Sequence, residues 1–250
     1  MTYKSYLKDT SNNLLTQMQE AVSGDSIAES GLKSLLKSVS YENYSPVKRV
    51  EDILGVSGVQ QQYKFPQDIE PLEFESYLKP LRIFEIEEKG YLPFPEKEAM
   101  SFILPQKKEA LKFAESAFDE LAKLNPELKE IPNKKTIHNY VAILSGVCSG
   151  FPIEDITEFC DYIRNDDQEK CEHLNYMRKE YSHKIKELIK QKGKPNNSKD
   201  VPELTKRLEK GGVFLNWCPS KASFEKIYSA LDKNLDRQQF LSAHFIQKRR

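Results

Sequence analysis

The chain contains no run approaching the ~18 consecutive apolar residues that a membrane-spanning helix needs. Its first residues, MTYKSYLKD, also lack the apolar core of a cleavable secretory signal. The expectation is a soluble, cytoplasmic chain that is not transmembrane; export by a route without a cleavable signal would leave no such mark. Charge of one sign is not in excess either. There are 38 basic and 38 acidic residues, for a net charge of zero, which argues against a dedicated polyanion binder. Cysteine is scarce: Cys148, Cys160, Cys171 and Cys218 show no C-x-x-C spacing, so neither a zinc knuckle nor a thioredoxin-type pair is expected. They read as buried thiols of a reducing compartment. No glycine-rich phosphate loop, G-x-S-x-G or H-E-x-x-H is present, and internal repeats and low-complexity tracts are absent.

What the chain does have is helical period. Residues 133–149, 152–164 and 166–192 read as three consecutive helices, holding two of the four histidines and three of the four cysteines. Upstream, Leu14, Leu15, Met18, Ala21 and Val22 form one stripe, and Ile27, Leu32, Leu35, Leu36 and Val39 another, with Gly24 between them. This is the pattern of a helical hairpin. Ser45-Pro46 then caps a short third helix that stops at Gly55. Period returns at 107–124, and further helices are expected over 202–210, 223–235 and 236–246.

Between 55 and 104 the grammar differs. Pro66, Pro71, Pro80, Pro93 and Pro95 punctuate a stretch rich in aromatics, among them Tyr63, Phe65, Phe74, Tyr77, Phe84, Tyr91, Phe94 and Phe102. The alternation of 81–86, followed by Glu88-Lys89-Gly90 and Tyr91-Leu92, suggests one small β-hairpin. The rest is expected to be irregular chain wrapped over the helices, with its rings buried. The expected fold is therefore an all-α multi-helix bundle of about eight or nine helices. Its expected parts are 1–54 (hairpin plus short helix), 55–104 (irregular) and 105–250 (main bundle), all in one compact unit.

Candidate chemistry is sparse. Cys171 and His173 are two positions apart on one helix and face different sides, so no metal site with Cys160 is expected. Cys148 and His138 stand ten residues apart on one helix, too far for a nucleophile–base pair. A helix-turn-helix over 140–162 would aim Glu154, Asp155, Glu158 and Asp161 at DNA phosphates, so DNA is not an expected partner. Those acids instead suit the first turns of an ordinary helix. No cofactor is expected.

Arg178 and His183 form an R-x4-H on a long helix, which resembles the motif of HEPN ribonucleases. Those are helical domains in which Arg and His converge on an RNA phosphate, usually across a dimer. The resemblance implies Arg178 as the group that holds the phosphate and His183 as the proton-transfer group. It covers six residues, and Lys179 stands where that family commonly has Asn, Asp or His.

The reading that best accounts for the whole chain is a non-enzymatic module acting as adaptor, regulator or effector on a protein partner. Its expected binding residues are Phe94 and Phe102, which are of an interface-enriched type, and the run Lys184, Lys186 and Lys190. That run and the terminal Lys248-Arg249-Arg250 can also meet RNA or an anionic membrane surface. The alternative is a HEPN-like RNA-binding or RNA-cleaving domain using Arg178 and His183.

Overall fold

The computed structural model describes residues 2–38, 46–67, 69–88, 96–132, 135–165, 168–193 and 218–247. These residues form ten α-helices and one short 3-10 turn, with no strand among them. The protein is all-α. Its helices divide between two compact units, each assembled from two separated segments: Met1–Asn43 with Tyr63–Ser149, and Tyr44–Gln62 with Gly150–Arg250. The breaks expected at 54 and 104 thus fall at other places than the breaks between units.

Unit 1 holds α1 (Tyr3–Val22), α2 (Ser26–Ser38), α4 (Pro71–Tyr77), α5 (Lys79–Glu88), α6 (Glu96–Leu124), the 3-10 turn Pro126–Glu130 and α7 (Ile137–Cys148). Thr2 starts α1 by accepting the Ser5 N–H on its side chain, which satisfies one of the unpaired amides of a first turn. Leu7, Leu14, Met18 and Val22 then bury one stripe of α1. It packs against α6, whose buried face is small, with Ala110, Ala114 and Ala117 beside Phe113 and Leu121. Alanine there favours the helix and lets its neighbour approach closely. The central element is α7, buried at Ile137, Tyr140, Val141, Ile143, Leu144, Val147 and Cys148. It packs against α4, α5 and α6, so it needs apolar residues nearly all round rather than one stripe.

The expected hairpin is overturned. Residues 81–88 belong to α5, with Leu81, Ile83 and Phe84 fully buried and Arg82 donating to Ser145 Oγ at 2.6 Å. Pro80 sits in the first turn, where its missing N–H costs nothing. A short apolar run does not by itself separate strand from helix, and packing against α7 and α6 decided it. Tyr91 and Leu92 lie outside the described residues.

The irregular wrapper is corrected for the same reason, since 71–77, 79–88 and 96–104 are helical. Of its rings, Phe74 and Phe84 are fully buried, while Tyr63, Phe65 and Tyr77 are half-buried, Phe65 meeting Phe74 edge-on at 5.6 Å. The helix expected over 107–124 starts earlier, since α6 runs from Glu96 through Pro105.

Unit 2 holds α3 (Pro46–Leu54), α8 (Ile153–Asn165), α9 (Gln168–Lys192) and α10 (Lys221–Gln247). The last is one helix where two were expected. Its core joins Val47, Val50 and Leu54 to Tyr181, Ile185 and Leu188, and to Phe224, Ile227, Leu231 and Leu235. Tyr181 and Phe224 stack face to face at 4.0 Å. One turn-series further on, Lys192 bridges Asp232 and Asp236. Residue numbers rise together along both helices, so α9 and α10 run parallel. A parallel pair needs a long return connection, here residues 193–220.

Candidate functional site

The site of interest lies within unit 2, where the 58–61 loop meets the starts of α8 and α10. The loop leaves α3 through Gly55, in the left-handed region at φ 64. It is pinned by Glu51. This carboxylate is 4% exposed and accepts from Val59 N–H at 2.6 Å and Gln60 N–H at 2.9 Å through one oxygen. Gln61 ties the loop to α8 by donating its N–H to the Gly150 carbonyl at 3.0 Å and accepting the Ile153 N–H at 3.2 Å on its side chain. Gly150 has φ 71, and the Gln60 side chain lies 2.5 Å from where a β-carbon would stand. Only glycine suits both the conformation and the close approach.

The start of α10 is capped from another helix. Asp155 Oδ1 accepts the Ser220 N–H at 2.8 Å, and Ser220 Oγ accepts the Ser223 N–H at 3.2 Å. Asp155 is 5% exposed, and Ser223 is fully buried. Asp155 Oδ2 and Ser223 Oγ are both buried, and the Ser223 hydroxyl lies close enough to the carboxylate to act on it as a donor. Burial pushes the Asp155 carboxyl up from its ordinary range and Glu158 adds to this, while Ser223 and Ser220 pull it down. Beside these groups a cleft of about 210 Å³ opens, lined by the 58–61 loop, Pro152, Glu154, Ser223 and Lys226. Glu154 and Lys226 face each other at its rim, 3.6 Å apart.

The Asp155 shift has a testable sign. Because the folded-state pKa is raised, the folded protein holds this proton to higher pH than the unfolded chain does. Stability from this group is therefore fully present in acid and lost as pH rises through the folded pKa. Asp155→Asn keeps the acceptor for Ser220 but carries no charge. It is expected to stabilise the protein at pH 7 relative to the parent, and the gain should shrink toward pH 4. Urea unfolding of both proteins across that range measures it; a gain that grows in acid would contradict the assignment.

The residues singled out from the sequence fall elsewhere. Arg178, on α9, turns inward: its Nε is buried without a hydrogen-bond partner. It lies beside Cys218, whose thiol burial pushes up to about 11 against the pull of that guanidinium. His183 is exposed; five positions on, a helix has turned ~140° from Arg178. Within one copy the two are not brought to a common side. Lys184 is exposed, 3.5 Å from Glu180, with its Nζ 6.0 Å from the Phe224 ring. Lys190 pairs with Glu187 at 2.5 Å, and that contact draws the Glu187 carboxyl below its ordinary range. Lys186 is half-buried. Phe94 lies outside the described residues, and Phe102 lies on α6.

The two helices of the helix-turn-helix pattern, α7 and α8, belong to different units. Among the described residues no group of His, Cys, Asp and Glu is placed to hold a metal ion, and no helix is long and apolar enough to cross a membrane.

Unit 1 has its own buried polar cluster. Glu75 Oε1 is buried without a partner, and burial raises its carboxyl while Arg82 and Lys79 oppose that. Cys148 is raised for the same first reason, with Glu75 adding to it.

Sequence reasoning missed Glu51, Asp155, Ser220 and Ser223 as a group. A signal existed for one part of it. Ser220 followed by Lys-Ala-Ser has the form of a helix N-cap. Asp155 was readable only as a first-turn acid of its own helix, and nothing in the order of residues joins it to Ser220.

Comparison with known protein families, with curated protein sequences and with solved structures finds no match for this chain. The fold and site define an all-α protein of two helical units, one of which bears a polar cleft.

Proposed function

We propose that the protein is a non-enzymatic helical module that binds a protein partner, as an adaptor, regulator or effector. The observation that supports this most directly is a pair of exposed aromatics on successive helices of unit 2. Phe159 on α8 is 46% exposed and Tyr176 on α9 is 60% exposed. Single exposed apolar residues are ordinary, but large rings left in water are the residue type that dominates interface energetics. The lysines of α9 add less to such binding than the rings do, since Lys184 and Lys190 are already opposed by Glu180 and Glu187.

Affinity capture of the tagged protein from lysate, with and without ribonuclease, tests this. A defined partner that survives ribonuclease, and is lost with Phe159→Ala combined with Tyr176→Ala, is the expected result. RNA that co-purifies and disappears on treatment would instead favour the HEPN-like alternative. That reading predicts that His183→Ala abolishes RNA cleavage. Because His183 is exposed, its replacement is expected to leave the melting temperature within about 1 °C, surface changes being worth less than roughly 0.5 kcal/mol. Retained cleavage activity in His183→Ala would end that alternative.

A further inference from the structure

The cleft of unit 2 is walled by fixed backbone and read by side chains. Val59 and Gln60 N–H go to Glu51, and Gln61 N–H to the Gly150 carbonyl, so the 58–61 loop holds its shape without a ligand. The side chains that line it carry both signs of charge and an excess of neither. Glu154 and Lys226 meet at the rim 3.6 Å apart, with side chains 44% and 63% exposed. That separation is too long for a hydrogen bond, so the carboxylate keeps room to accept and the ammonium to donate. Gln61 uses its side-chain oxygen on the Ile153 N–H, which leaves its Nε2 as a donor. Among the described residues, neither Gln61 Nε2 nor the Gln60 carboxamide has a hydrogen-bond partner. At about 210 Å³ the space falls below the roughly 300–1,000 Å³ of pockets for drug-sized ligands. An occupant that satisfies this lining is small, neutral overall, and carries a positive and a negative group side by side.

We propose that the cleft binds a free α-amino acid as its zwitterion. Glu154 accepts from the α-ammonium, Lys226 and Gln61 Nε2 donate to the α-carboxylate, and the Gln60 carboxamide meets a polar, uncharged side chain. In an α-amino acid the two charges flank a single carbon, with nitrogen and carboxyl carbon about 2.5 Å apart. Laid in the reverse sense against Glu154 and Lys226, each ligand charge meets its opposite. Opening the protein's own pair to admit it costs little, because an exposed pair is weak. A ligand with a single charge would satisfy one rim residue and repel the other, so the lining selects against simple anions and cations. A carboxamide carries both donors and an acceptor, so Gln60 can pair reciprocally with the side-chain amide of glutamine or asparagine. The site uses neither Phe159 nor Tyr176, and it stands or falls separately from the protein-partner reading.

The full chain, labelled with nitrogen-15, is titrated with L-glutamine. Parallel titrations use Nα-acetyl-L-glutamine, which lacks the ammonium, L-glutamine α-amide, which lacks the carboxylate, and L-leucine. Saturable shifts of the Gln60, Gln61 and Ile153 amides are expected with L-glutamine. The dissociation constant should be on the order of 1 mM, because contacts to exposed charges are weak. Both capped forms should bind roughly tenfold more weakly, the scale of one hydrogen bond to a charged group, and L-leucine should also bind more weakly than L-glutamine. Glu154→Gln and Lys226→Gln should each weaken L-glutamine by a similar factor. Both residues are exposed, and unchanged resonances in the rest of the chain establish that the variants are folded. Absence of saturable shifts, equal binding of either capped form, or binding undiminished in either variant would overturn the site. L-leucine bound as tightly as L-glutamine would overturn the role of Gln60.

Discussion

Replacing Glu51 by alanine is expected to destabilise unit 2 by about 3 kcal/mol, because one buried carboxylate holds two backbone amides. Val59 and Gln60 both donate to the same oxygen, and hydrogen bonds to a charged group are worth about 1.5–3 kcal/mol each, with a further cost for leaving the donors buried and unpaired. The contact of Lys48 with the other oxygen, at 3.7 Å and half-exposed, contributes little beside them. Urea unfolding followed by circular dichroism measures the loss. Hydrogen exchange should place it, since the amides of Val59 and Gln60 should exchange much faster while those of Leu14 and Leu144 in unit 1 keep their protection. Glu51→Gln preserves an acceptor oxygen at the same reach and should recover most of the stability. If glutamine proves as damaging as alanine, charge rather than the acceptor holds the loop. The same variants report on the cleft, since a loosened 58–61 loop removes one of its walls.

The second large effect is expected at Phe84. It is fully buried in α5, in a unit whose core also takes Phe74 and Phe113, and Phe84→Ala should cost about 3–5 kcal/mol through lost burial and the cavity left behind. The measurement also discriminates between conformations. In a strand of the alternating pattern, Leu81 and Ile83 would share one face and Phe84 would lie on the other with Arg82, whose side chain is only half-buried here. A loss below about 1 kcal/mol would return 81–86 to that half-exposed alternation. A companion change, Arg82→Ala, should cost less, because it removes one hydrogen bond to Ser145.

Much of the helical layout was readable from residue order. The stripe of α1 at Leu14, Met18 and Val22, the period of α6 over 107–124 and the acidic first turn of α8 are local signals. Each is set by periodicity or by a side chain acting within a few residues of itself. The errors share one cause. At 81–88 the chain was scored by its neighbours in sequence, whereas α7 and α6 supplied the surface on which those residues settled. Proline is a reliable stop only where nothing else holds the helix. In the candidate site the legible part was smaller still. Arg178 and His183 were conspicuous as residue types, yet one is turned inward beside Cys218 and the other stands in water.

By itself the sequence determined that this is an all-α chain, because helical period is written every three to four residues and needs no distant partner. It also pointed to Phe74 and Phe84 as rings that leave water, since transfer of apolar area is favourable wherever the chain finds a core. Only the tertiary structure decided which segments share a unit, joining 44–62 to 150–250 across a gap of nearly ninety residues. It alone brought Asp155 to Ser220 and Glu51 to Val59 and Gln60. The physical reason is that a buried polar group must be satisfied by whatever donor the fold delivers. That partner is fixed by packing in space rather than by nearness along the chain.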